Sequence, residues 1–186
     1  MLNVLRKSIS QPLIKIQDSP WLYSLWGAFL LFLCSQVSIP LQPVPITLQT
    51  VGVMLVGITF PRKIAVQAVL SYLALGAIGV PVFADFSGGL AVFIGPTAGY
   101  LVGFLFAILV MSTIAAKQKN SRNLWSMFGN CCIGTCVVFL FGILGLLPFM
   151  NLNHAVQVGL IPFILPGLIK IVLLTICLKF LKPRQQ

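Results

Sequence analysis

Thr97 to Ala116, TAGYLVGFLFAILVMSTIAA, runs for twenty positions without a charged side chain and ends against Lys117, Lys119 and Arg122. About twenty largely apolar residues in helical form are what the hydrocarbon layer of a bilayer requires, so this stretch predicts a transmembrane helix. Five more runs read the same way: Trp21 to Ile39, Ile46 to Phe60, Ile64 to Phe83, Leu124 to Met150 and Gly159 to Leu178. The second is short for a full span. The fifth is long enough to tilt, or to break near Gly142, Gly145 and Pro148.

The whole chain agrees with that local reading. Of its 186 residues 59% are hydrophobic and 8% charged, with mean hydropathy +1.05; a water-facing domain carries about a quarter of its residues as Asp, Glu, Lys or Arg. Twelve Lys and Arg stand against two acids, Asp18 and Asp85, for a net charge of +10. The cations fall on alternate sides of the runs. Arg6, Lys7 and Lys15 precede the first, Arg62 and Lys63 separate the second from the third, Lys117, Lys119 and Arg122 follow the fourth, and Lys179, Lys182 and Arg184 close the sixth. The connections Pro40 to Pro45, Ala84 to Pro96 and Asn151 to Val158 hold no Lys or Arg. Cytoplasmic loops retain Lys and Arg, so both termini are expected inside.

The expected fold is therefore all-α: an integral membrane protein, a compact bundle of six transmembrane helices, N-in and C-in. Residues 1–20 form a cytoplasmic segment, apolar enough among its cations to lie as an interfacial helix; 21–182 form a single membrane domain, and 183–186 a cytoplasmic tail. No cleavable signal peptide is expected, because the first apolar run is span-length and no small-residue cleavage site follows a shorter one. Four small basic clusters at helix ends are what orientation alone requires, so the charge does not point to nucleic acid.

Several chemistries lack their residues. No G-x-x-x-x-G-K-[ST] loop is present for nucleotide phosphates. Two acids far apart in sequence cannot hold a two-metal site or form a general acid and base pair. His154 is the only histidine, and no serine stands in a G-x-S-x-G context. Cys34, Cys131, Cys132, Cys136 and Cys177 all fall within predicted spans without a C-x-x-C motif, which marks them as small packing residues rather than a metal or redox site. Recognition or passage of a solute is thus the expectation, with no enzyme activity, cofactor or metal.

Polar and irregular residues gather at the cation-free ends. Ile39 to Thr50 carries three prolines followed by Thr47, Gln49 and Thr50, a stiff connection offering amide and hydroxyl groups to a small polar ligand. Gly79 to Tyr100 contains Phe83, Phe86 and Phe93 among its glycines and is too apolar for a solvated loop. Irregular backbone at membrane depth is tolerated where protein covers it or it lines a cavity, so the connection between the third and fourth helices is read as a substrate lid and pocket wall. Gly88 and Gly89 permit close backbone approach, and Pro96 suits the first turn of the fourth helix, whose amides offer a place for a polar or anionic group. Gly95, Gly99, Gly103 and Ala107 recur every four residues, a row that lets helix backbones pack closely; Gly95 and Gly99 are placed to serve both packing and the pocket.

Lys170 is the one cation outside the end clusters. In a helix entering near Gly159 it stands roughly 16 Å in, too deep to reach either surface comfortably. Alternatively the regular helix begins only after Pro162, Pro166 and Gly167, with Lys170 near its start. A charge at mid-bilayer costs about 2.5–3.5 kcal/mol on insertion scales, and neither Asp lies in a span. Its partner is either an anionic ligand or a set of backbone carbonyls.

The strings Pro-Val-Pro-Ile-Thr-Leu-Gln-Thr (43–50), Gly-Val-Pro-Val-Phe (79–83), Ser-Gly-Gly (87–89), Gly-Pro-Thr-Ala-Gly-Tyr-Leu-Val-Gly-Phe (95–104) and Ile-Pro-Phe-Ile-Leu-Pro-Gly-Leu-Ile-Lys (161–170) resemble the BioY family, the biotin-binding S components of energy-coupling factor transporters. The resemblance covers nearly the whole chain. It implies a six-helix bundle that captures biotin from the outer side of the bacterial inner membrane, with a transmembrane T component and two ABC-type ATPases as partners, which accounts for the missing phosphate loop. It implies a pocket of Thr47, Gln49, Phe83, Ser87, Gly88, Gly89, Thr97, Gly99, Tyr100 and Lys170, and contact with the T component through small residues of the first helix, here Ser24 and Ala28. Ser24 and Ala28 fit packing inside the bundle equally well. The sequence departs from the family at Ala98, where a second glycine is common, at Leu101, where some members have Arg, and at Pro-Gly-Leu-Ile-Lys, where Pro-Gly-Asp-x-x-Lys is usual. Two other functions suit the same sequence: a ligand-free assembly subunit and a solitary biotin facilitator.

Overall fold

The computed structural model describes residues 19–117 and 123–181. The expected interfacial segment therefore lies almost wholly outside the described residues, as do the tail 183–186 and the cations Lys119 and Arg122. Helix α1 spans Pro20–Gln36 and opens with proline in its first turn, where the missing N–H has no intrahelical partner to lose. Two short strands follow, β1 at Ser38–Ile39 and β2 at Ile46–Thr47. They pair antiparallel, with Ser38 opposite Thr47 and Ile39 opposite Ile46, so the proline-rich connection is the tip of a small hairpin containing a cis Gln42–Pro43 bond. Then come α2 at Gln49–Thr59, α3 at Arg62–Ala77, α4 at Ala98–Lys117, α5 at Leu124–Leu146, α6 at Leu152–Gly159 and α7 at Ile161–Leu181.

Six longer helices thus stand where six apolar runs were expected, with several boundaries corrected. The first and third runs overshoot their helices, because residues 37–39 and 78–83 are uncharged but not helical. The fifth run does not break at Gly142 or Gly145; α5 continues through both and ends at Leu146, two residues before Pro148, the third of the expected break points. The expected connection Asn151 to Val158 is largely the short helix α6, which buries Ala155 and Gly159 and leaves His154 exposed. Nor does the last helix start after Gly167, since Pro166 lies inside α7.

Helices α4 and α5 and the α6–α7 unit are long and apolar enough to cross a membrane. Large apolar side chains point outward over much of the surface, with Trp26 62% exposed, Leu165 68% and Phe180 81%. Water would not tolerate such a surface, whereas lipid does, and the chain is a multi-pass membrane protein. Arg62 and Lys63 start α3, and Lys117 ends α4, so these cations lie at one end of the bundle and the 78–97 connection at the other.

The core forms around α4, which packs on α2, α3 and α5. Its small-residue row is the closest helix contact. A Cβ added to Gly145 would lie 2.6 Å from the Gly99 Cα, and one on Gly103 would lie 3.1 Å from the Val138 Cα. On the other side α1 meets α3 through Gly27, where a Cβ would stand 2.6 Å from that of Ala68. Ser24 and Ala28 are both buried in the bundle, and the Ser24 hydroxyl donates to the Trp21 carbonyl at 2.8 Å.

Gly145→Ala is expected to force α4 and α5 apart and to cost about 1–3 kcal/mol, lowering the thermal unfolding midpoint in detergent. Gly129→Ala, on the same helix where a Cβ meets nothing within 4 Å, is expected to hold or raise the midpoint through better helix propensity.

Candidate functional site

The β1–β2 hairpin and the start of α2 bring the polar groups of the 38–50 stretch inward. Thr47 and Gln49 are buried and bonded to one another: the Thr47 hydroxyl donates to Gln49 Oε1 at 3.1 Å, and the Gln49 backbone N–H donates back to Thr47 Oγ1 at 3.3 Å. The other end of the Gln49 side chain donates through Nε2 to Tyr72 Oη at 2.6 Å. From α7 the Lys170 ammonium donates to the Thr47 carbonyl at 2.6 Å. Of the two partners weighed for Lys170 in the sequence, the described residues thus supply a backbone carbonyl. Asp85, the one acid among them, accepts from the Ser38 hydroxyl at 2.5 Å.

The cation-free end of α1 holds the 78–97 connection. Ser35 donates to the Val82 carbonyl at 2.7 Å. Gln36 donates to the Phe83 carbonyl at 3.1 Å, and its Oε1 accepts from the Phe86 amide at 3.2 Å. These contacts fix two residues in an uncommon conformation: Asp85 and Phe86 have φ of 56° and 53°, left-handed backbone that a side-chain-bearing residue keeps only when its surroundings demand it. Phe83 then turns inward over Gly76, where any Cβ would collide with its ring, and stands edge-on to Tyr72 and Phe93 at centroid distances of 5.3 and 5.7 Å.

Between the hairpin, this connection and helices α2, α4, α5 and α7 lies a cavity of about 270 Å³, near the lower end of the roughly 300–1,000 Å³ common for small-molecule sites. Thr47, Gln49, Phe83, Ser87, Thr97, Tyr100 and Lys170 all line it. Gly88, Gly89 and Gly99 stand outside its wall, for packing reasons. A Cβ on Gly88 would crowd the Val80 carbonyl group, Gly99 abuts Gly145, and the Gly89 amide bonds the Gly76 carbonyl at 2.7 Å with φ at 93°. The amides at the start of α4 are also largely engaged, since Ala98 bonds Gly95 and both Tyr100 and Leu101 bond Thr97. The Tyr100 hydroxyl donates to the Gly159 carbonyl at 2.7 Å and ties α4 to α6.

Other wall residues escaped the sequence reading. Thr135 and Phe139 come from α5, Phe163 and Gly167 from α7, and Asp85 from the connection. The signal was there only as helical spacing: Thr135 and Phe139 are four apart, and Phe163, Gly167 and Lys170 share one face at steps of four and three. A second, almost wholly apolar recess of about 420 Å³ lies between α1 and α3, with Ala28, Phe29, Tyr72 and Phe86 in its wall.

The fold and the cavity define a helical membrane protein built around a solute-sized pocket with aromatic walls, a few converging hydrogen-bonding groups and one ammonium. The chain belongs to the BioY family, whose model matches residues 8–186. It is 33% identical over 156 residues to the probable biotin transporter BioY of Rickettsia prowazekii, covering 84% of this chain and 79% of that protein. It is 38% identical over 137 residues to the biotin transporter BioY of Thermotoga maritima, covering 73% and 79%. The crystal structure of the S-component for biotin from an ECF-type ABC transporter superposes with a TM-score of 0.81 at 27% identity, over 94% of this chain and 96% of that one.

Gln36→Ala removes both side-chain bonds to the connection. With each neutral bond contributing about 0.5–1.5 kcal/mol, hydrogen exchange at the 82–87 amides is expected to quicken about tenfold or more, while exchange in α4 and α5 stays unchanged.

Proposed function

We propose that this chain is the substrate-binding component of an energy-coupling factor transporter and that it takes up biotin into the cavity between the hairpin, the 78–97 connection and α7. Support comes first from the family and from its biotin-transporter relatives. It comes next from the match between cavity and ligand. Biotin carries a ureido group that needs donors and acceptors, fused apolar rings, and a carboxylate on a flexible chain. Thr47 and Gln49 supply hydrogen-bonding groups, Phe83, Phe139 and Phe163 supply apolar surface, and Lys170 supplies the cation.

The observation that carries the reading is Lys170. Its ammonium has three donors, and the Thr47 carbonyl takes one. A neutral carbonyl stabilises the cation without cancelling its charge, and a carboxylate arriving in the cavity does both. In this reading the cation-rich end of the bundle is cytoplasmic and the cavity opens to the outside of the bacterial inner membrane. The Ala84 to Pro96 connection acts as the lid. A T component and two ABC-type ATPases supply the energy, consistent with a sequence that has no phosphate loop.

Ser24 and Ala28 face the bundle interior, so a T component approaching α1 would first meet the exposed Trp21, Leu22, Leu25 and Trp26. Calorimetric titration of the detergent-purified protein with biotin is expected to show saturable one-to-one binding. Lys170→Ala is expected to weaken it by roughly ten- to a hundredfold, the range for a charge-assisted hydrogen bond. A parent protein that does not bind biotin would contradict the substrate assignment; a variant that binds as the parent does would remove Lys170 from the site.

A further inference from the structure

Among the described residues, α3 contributes no side chain to the cavity wall, yet one of its residues touches two groups that do. Tyr72 is only 1% exposed. Its hydroxyl accepts from Gln49 Nε2 at 2.6 Å, and its ring meets the Phe83 ring edge-on at 5.3 Å. The two contacts differ in what they need. The ring contact depends on the aromatic face, which phenylalanine also has, whereas the Gln49 contact depends on the hydroxyl oxygen alone.

A glutamine at a cavity wall is a poor recognition element unless its amide is held. The terminal torsion of glutamine is broad, and an amide free to turn offers a ligand oxygen at one moment and N–H at the next. Here Thr47 Oγ1 binds Oε1 and Tyr72 Oη binds Nε2, so both ends of the amide are occupied. Without the Tyr72 oxygen the buried N–H loses its partner, and the side chain gains a reason to swing into the cavity and occupy the space of the ligand.

We propose that Tyr72 is a positioning residue for ligand recognition that acts through the Gln49 side chain. It never touches the ligand. It holds the Gln49 amide against the wall, with Thr47 steadying the other end, so that the cavity presents one hydrogen-bonding pattern. The inference rests on reading this cavity as the biotin site.

The test is a double-mutant cycle on the full chain in detergent, read as biotin affinity by calorimetry. Tyr72→Phe keeps the ring and is expected to weaken binding about three- to tenfold. Gln49→Met keeps the length of the side chain without its amide and is expected to weaken binding at least as much. The double variant, in which an apolar pair replaces the polar one and no buried N–H is orphaned, is expected to bind like Gln49→Met alone. Multiplying losses, the result for independent sites, would overturn the proposal, because a hydroxyl that merely stabilised the bundle would matter equally in both backgrounds. Unchanged binding by Tyr72→Phe would overturn it as well. A parent chain that does not bind biotin would overturn the biotin reading and this inference together, whereas failure of the cycle in a chain that binds leaves the biotin reading standing.

Discussion

The hydrogen bond from the Lys170 ammonium to the Thr47 carbonyl, 2.6 Å long, joins the last helix to the hairpin between the first two. A cation nine residues into α7 is expensive in a membrane protein unless something receives it. The carbonyl that does so belongs to a residue whose hydroxyl also bonds Gln49, which in turn bonds Tyr72. One charge therefore organises a polar chain running from α7 through the hairpin and α2 to α3, along one side of the cavity. Part of the irregular backbone around it is paired within the protein, which membrane depth favours: Leu48 bonds Val37, Val80 bonds Leu75 and Phe83 bonds Ser87.

Helix packing and the polar lining of the cavity fall to different residues. The glycines of α4 and α5 bring those helices together, and Gly76 admits the Phe83 ring, so these small residues shape the bundle. The polar side chains that line the cavity are others, among them Thr47, Gln49, Ser87, Thr97 and Tyr100. The side chains that hold the connection in place, Ser35, Gln36 and Ser38, come from the end of α1 and the residues just past it, outside the cavity lining.

Much of this was legible in the sequence, and what was not has a physical cause. Uncharged runs marked the helices because lipid and core both select apolar residues, but for the same reason residues 37–39 and 78–83 looked like helix. Apolarity reports the surroundings of a segment, not its backbone conformation. Asn151 to Val158 misled in the opposite sense: its polar residues suggested a loop, while Ala155 and Gly159, spaced by four, bury one side of a short helix. Thr47, Gln49 and Lys170 stood out as polar residues in an apolar setting, whereas Phe83 entered the pocket only through the family resemblance. Thr135, Phe139 and Phe163 did not stand out, since a helix that is apolar all round shows no stripe from which to read its inner face. Gly88, Gly89 and Gly99 drew notice as glycines and through the resemblance, but glycine also serves close backbone approach and positive φ; protein backbone approaches Gly88 and Gly99, and Gly89 has a φ of 93°.

Net charge of +10 and near absence of acids acquire their meaning from this arrangement. In the sequence eleven cations cluster at the ends of the apolar runs, and the twelfth, Lys170, stands in the cavity wall with donors to spare. The most direct test is a structure of the protein determined with biotin bound. Ligand density is expected inside the cavity, with the biotin carboxylate at about 2.7–2.9 Å from Lys170 Nζ, the range of a charge-assisted bond, and Gln49 still held by Tyr72. Biotin bound elsewhere, or bound in the cavity with Lys170 engaged by the Thr47 carbonyl alone, would contradict it.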